Sequence, residues 1–160
     1  MPSEKTMLLE QLEVITALIP EIDNTYAELT RSLKFMSPIL KKRVFNSEDL
    51  GMLKESLQGL HQILDHYGQL IRRGQGEREL IRSEIVRVKS DKQNKQEDFS
   101  IVEAELWSVE QNLVLREKAL SHLNELVQLL DSIFRVGEMT EFDERLLTEI
   151  VVDLKNLGSS

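Results

Sequence analysis

The sequence predicts an all-α protein, an antiparallel coiled-coil hairpin with N- and C-terminal helices packed at its base to form a helical bundle. Three observations predict it. Apolar residues recur at heptad spacing through most of the 160 residues. Only 7 Gly and 3 Pro punctuate the chain, too few for the turns of a sandwich, a barrel or an alternating α/β fold. A hydrophobic content of 41% beside 30% charged residues suffices for one domain of ordinary size, so residues 1–160 read as a single helical domain.

The first element is an N-terminal helix over residues 1–36. Leu8, Leu12, Ile15, Ile19, Ile22, Tyr26, Leu29, Leu33, Met36 and Leu40 alternate four- and three-residue steps, which places them on one helix face. Pro20 lies inside this pattern but off the seam and predicts a kink. Ser37-Pro38 is a favourable cap followed by proline at a first helical position, so a separate short helix is expected over 38–45, with a further cap at Asn46 or Ser47.

The hairpin arms are expected over 47–90 and 97–136. Taking Leu50 as position a, a single register runs from Leu50 to Phe134, and 20 of its 25 a and d positions are apolar. The exceptions are Gly74, Arg78, Lys92, Lys95 and Arg116. Lys92 and Lys95 belong to a run of nine polar residues from Ser90 to Asp98, which predicts a turn near Asn94. Charge distribution favours folding back there over a parallel homodimer. Residues 72–95 hold eight basic and four acidic residues, whereas 97–110 hold five acids and no base. An antiparallel hairpin lays the first arm on the second, while a parallel dimer sets the acidic stretch against its own copy. The seam also widens at Ile63, Leu70, Ala119, Leu126 and Ile133, which predicts a four-element base with a narrower two-helix extension. Gly137 suits a helix C-cap, and Thr140 with Asp143 forms a capping box for a C-terminal helix over 140–157, with Phe142, Leu146, Ile150, Leu154 and Leu157 facing inward.

Composition bounds the function. With 0 Cys, thiolate metal sites, cysteine nucleophiles and disulfide scaffolds are excluded. A net charge of -8 argues against general binding to a phosphate backbone, so nucleic acid is not the expected partner. The start of the chain lacks the pattern of a secretion signal, and no stretch is long and apolar enough to span a bilayer, so a cytoplasmic location is expected. No catalytic residue, cofactor or metal site is expected. His61 and His66 are five residues apart and diverge on a helix, His122 stands alone, and Gly74-Gln75-Gly76 is too short for a phosphate loop.

Two features point to a partner. Arg78 and Arg116 interrupt the seam, and two guanidinium groups there require an acid or anion from elsewhere, either a partner's carboxylate or phosphate or, failing that, water. The only tryptophan, Trp107, sits at an outer heptad position, where it forms a second apolar stripe with Ile101, Val114, Leu115 and Leu129. Either the N-terminal helix covers this stripe or it is an interface for a helical protein partner or a second copy of the chain.

Glu141 to Val152, read as EFDERLLTEIVV after a coiled coil, resembles the C-terminal tail of large serine recombinases. The resemblance covers these twelve residues and carries over no catalytic position, because the family's serine domain and zinc-binding cysteines have no counterpart here. The acidic all-helical build is similar in architecture to flagellar and type III export chaperones. The expected function is therefore that of a non-enzymatic coiled-coil interaction or assembly protein. The alternative is a small acidic helical chaperone or adaptor that masks a client's amphipathic segment.

Overall fold

The computed structural model describes residues 3–91 and 98–159. Four helices account for nearly all of them: α1 (Glu4–Leu40), α2 (Ser47–Ser90), α3 (Ser100–Val136) and α4 (Glu141–Ser159). Contacts divide the chain into two compact units. Unit 1 comprises Met1–Asp23 and Gln69–Arg116, and unit 2 comprises Asn24–Gly68 and Glu117–Ser160. The turn expected near Asn94, with seam residues Lys92 and Lys95, lies outside the described residues.

Helix α1 corrects one expectation. It is continuous through Pro20, and it runs past Pro38 to Leu40, so no separate helix forms over 38–45. An interior proline costs about 3 kcal/mol or more. The buried side chains flanking each proline, Leu18 and Ile22 around the first and Met36 and Ile39 around the second, each contribute roughly 1.5–3 kcal/mol by leaving water. Packing therefore overrides the local stop signal. The seam is also broader than expected, because Leu18, Thr25 and Ile39 are buried while Ile19, Tyr26 and Leu40 are only partly so.

Unit 1 contains three helices, not the two-helix extension that the seam width predicts. Leu8, Leu12 and Ile15 of α1 pack against Ile81, Ile85 and Val88 of α2 and Phe99, Val102, Leu106 and Val109 of α3. A face contacting two neighbours must be wider than a strict a/d seam. Within this unit α2 and α3 are antiparallel, and the charge argument is realised as ion pairs of Arg82 with Glu110 and Lys89 with Glu103.

In unit 2 the buried side chains come from all four helices: Leu29 and Met36, then Leu53, Leu60 and Tyr67, then Leu123, Leu126 and Ile133, and finally Ile150 and Leu154. His61 on α2 pairs with Asp131 on α3 at 2.8 Å, an interhelical contact of this unit. Phe142 does not join the inward face of α4 and is 66% exposed. Each four-residue step turns about 40° around a helix, so a row spaced at fours that is centred on Ile150 carries Phe142 out to the side.

Two caps define the helix starts in this unit. The Asp49 N–H donates to Asn46 Oδ1 at 2.8 Å, and the Asn46 N–H donates back to Asp49 Oδ2 at 3.1 Å. Thr140 and Asp143 exchange the equivalent pair at 3.1 Å each. Gly137 has φ +83°, the left-handed conformation that ends α3. Beyond it, the Met139 N–H donates to the Arg43 carbonyl at 2.8 Å and the Phe45 N–H to the Gly137 carbonyl at 3.3 Å, lacing the α3–α4 connection to the α1–α2 loop.

The paired glycines of α2 differ in surroundings. A Cβ at Gly76 meets nothing within 4 Å, whereas one at Gly74 lies 3.2 Å from Leu113 Cδ1. Gly76→Ala should therefore raise stability by about 0.5–1 kcal/mol, the helix-propensity difference. Gly74→Ala should gain less, and Gly74→Val should destabilise. Urea unfolding of the three variants checks this order.

Asp49 is held below the ordinary carboxylate range, first by the Asn46 N–H and next by Lys42, whose Nζ lies 3.0 Å from its carboxylate. The Ser100 N–H lowers Asp98, and Arg87 lowers Glu84. Folded values below unfolded ones mean that the unfolded chain binds more protons in acid. This stabilisation is complete above the ordinary value of about 4 and is lost as pH falls through the lower folded values. Urea midpoints should fall in that window, and Asp49→Asn should flatten the fall while leaving Asp98 and Glu84 to supply the remainder.

Candidate functional site

The residues singled out from the sequence separate into three environments. Trp107 lies on α3 in unit 1 and is 65% exposed. Helix α1 does not cover it, because Leu8, Leu12 and Ile15 are engaged with the main seam and Trp107 points away from that seam. Ile101 and Leu115 are also exposed and Val114 is partly buried, all within unit 1. Leu129 corrects the expected stripe. It belongs to unit 2 and is 8% exposed, so it is a core residue and not a contact surface.

Around Trp107 the antiparallel arms build a defined patch. Trp107 lies between Glu103 and Glu110 on α3, and Val86, 67% exposed, lies between Arg82 and Lys89 on α2. The three- and four-residue spacing puts each apolar residue on the same face as its two charged neighbours. Arg82 Nε reaches Glu110 Oε1 at 2.6 Å, and Arg82 Nη1 reaches Glu79 at 3.0 Å, which raises the guanidinium pKa further, chiefly through the Glu110 hydrogen bond. Lys89 pairs with Glu103. Two interhelical ion pairs thus bracket Val86 and Trp107, and these residues with Ile85 and Leu106 line a shallow cavity of about 410 Å³. The sequence reading missed Val86. Its signal was present, since it follows a seam isoleucine and faces an arm whose charges complement those of its own helix neighbours.

The seam arginines have a different explanation. Arg116 Nε and Nη2 each donate to an Asp23 carboxylate oxygen at 2.9 Å, and Nη1 donates to the Asn112 carbonyl at 2.8 Å. The acid that the sequence required comes from α1 of the same chain. Arg78 Nε lies 3.5 Å from Glu79 on its own helix, with its side chain mostly buried. Asp23 escaped notice because it flanks the α1 seam at Ile22, and heptad spacing does not say which neighbouring helix a flanking residue meets.

The histidines do not converge. His61 and His66 are exposed, and His122 Nδ1 lies 4.0 Å from Glu125. Among the described residues no group of three or more His, Asp or Glu side chains is arranged to hold a metal ion, and no helix is long and apolar enough to cross a membrane. What unit 1 offers is a solvent-facing indole and a valine on a two-helix surface, rimmed by paired charges.

No protein-family model, curated protein or solved structure matches the chain.

The Arg116–Asp23 pair is bidentate and only partly exposed on the arginine side. Asp23→Ala should lower stability by about 0.5–1 kcal/mol. Arg116→Ala should cost at least as much, because it also gives up the bond to the Asn112 carbonyl. A double-mutant cycle by urea unfolding reads the coupling, and strictly additive losses would mean that the pair contributes nothing.

Proposed function

We propose that the protein is a non-enzymatic coiled-coil interaction or assembly protein, a cytoplasmic adaptor or scaffold that presents helix faces to a helical protein partner or to its own copy. One observation carries this reading: Trp107 and Val86 stand bare on the antiparallel α2–α3 surface, bracketed by the Arg82–Glu110 and Lys89–Glu103 pairs. An aromatic anchor surrounded by satisfied charges is the anatomy of an interface hot spot, in which the rim excludes water from the centre. Leaving an indole and a branched aliphatic side chain in water forgoes roughly 1.5–3 kcal/mol for each, a cost that a covering helix removes. Ile101 and Leu115 are exposed apolar residues elsewhere on the outer side of α3.

The shallow cavity beside Trp107 favours a second reading, that of a small helical chaperone that masks a client's amphipathic segment. The two differ in the state of the free protein. An assembly protein self-associates or holds a standing partner, whereas a chaperone is monomeric until its client arrives.

Light scattering with Trp107 fluorescence on the same sample tests both readings. For self-assembly the expected mass exceeds the 18.5 kDa of one chain, and Trp107→Glu returns it to that value with helicity unchanged. A monomer with water-exposed Trp107 leaves a separate helical partner or client, to be sought with amphipathic helical peptides. A monomer whose Trp107 emission is blue-shifted and resists quenching would sink the proposal.

A further inference from the structure

Unit 2 contains a cavity of about 490 Å³, bounded by α1, α3, α4 and the α1–α2 loop, which is the size of a small-molecule site. Its walls are aliphatic: Leu33 and Leu40 from α1, Leu126 and Leu130 from α3, and Leu147 and Val151 from α4. Leu126 and Leu130 are buried, but the other four are only half-buried, because they face a space that no side chain of this unit fills. Branched aliphatic residues lining a void forgo both the transfer free energy of burial and the dispersion contacts of a filled core.

The rim has the opposite character. Three consecutive cations, Lys41, Lys42 and Arg43, border the cavity, and Glu144 is the one carboxylate among its lining residues. In a chain of net charge -8 this is a local reversal of sign. Cations after a helix C-terminus complement the helix dipole, which accounts for their presence but not for the unfilled aliphatic slot beside them. Lys42 is committed to Asp49, and Arg43 reaches Glu144 at 3.5 Å and Glu141 at 3.8 Å. Lys41 has no ion pair among the described residues.

The remaining polar side chains of the lining do not suit a sugar or a nucleotide. The Thr148 hydroxyl donates to the Glu144 carbonyl at 2.9 Å, which leaves Ser37 as the other neutral polar group, and no aromatic ring is available to stack on a base. An aliphatic slot with a cationic end matches a ligand with one apolar chain and one anionic head. We propose that this cavity binds a free fatty acid, with its acyl chain along Leu33, Leu126, Leu147 and Val151 and its carboxylate on Lys41. The long contact between Arg43 and Glu144 lets Arg43 turn toward the ligand carboxylate as a second donor.

Calorimetric titration of the full chain with dodecanoate, below the concentration at which it forms micelles, tests the assignment. One saturable site per chain is expected. Lys41→Gln should weaken dodecanoate about tenfold and leave the uncharged dodecanol unaffected, a difference of about 1.4 kcal/mol. Val151→Phe, which fills the slot, should abolish binding of both ligands while circular dichroism keeps its helical signal. The proposal is overturned by absence of saturable binding, by dodecanoate binding that neither variant changes, or by association with anionic phospholipid vesicles alone. The experiment is independent of Trp107, so self-association can fail while this site stands, and the converse also holds.

Discussion

Unit 1 depends on one contact, the apolar face of α1 laid across the seam between α2 and α3. The two arms carry a regular heptad of branched aliphatics, and an antiparallel pair alone leaves one side of such a seam wet. Leu8, Leu12 and Ile15 close that side against Ile81, Ile85, Val88, Phe99, Val102, Leu106 and Val109. Closure has two consequences. It brings Asp23 to Arg116, so an arginine at a seam position acquires its counter-ion from the third helix. It also uses up the apolar face of α1 in this unit, so among the described residues of unit 1 none covers Trp107.

The exposed indole follows from that allocation. The α2–α3 surface around it is ordered by ion pairs between the arms, and individually such surface pairs contribute little stability. Their effect here is geometric. Arg82 with Glu110 and Lys89 with Glu103 hold two helices at a spacing that keeps Val86 and Trp107 side by side. A partner helix would meet a surface whose charges are already satisfied, and so would desolvate apolar groups at its centre without stranding an unpaired ion.

Unit 2 is organised differently. Backbone hydrogen bonds between the Arg43–Phe45 segment and the Gly137–Met139 segment tie the two connections together, and capping boxes at Asn46 and Thr140 start α2 and α4 at defined residues. Once these caps and connections are in place, α4 can satisfy its inward row with Ile150 and Leu154. Leu147 and Val151 then fall to the side, where with Leu33 and Leu40 they line an aliphatic slot beneath the basic loop.

The sequence by itself determined the helices, because periodicity, sparse Gly and Pro, and cap residues act locally. The register of α2 and α3, the Thr140–Asp143 box and the left-handed Gly137 were all legible in it. So was the antiparallel order, since charge complementarity between the arms survives any detail of packing. Other features were decided only by the tertiary structure. Pro38 sits within α1 because buried Met36 and Ile39 outweigh a local break. Leu129 lies in a core and Trp107 in water although both lie on the predicted second stripe, because a heptad position specifies a helix face and not the neighbour that covers it. The same reason hid Asp23 and the slot beside Lys41. Which residue flanking a seam finds a partner, and which apolar side chain finds a void, depends on how three or four helices share a fixed number of faces.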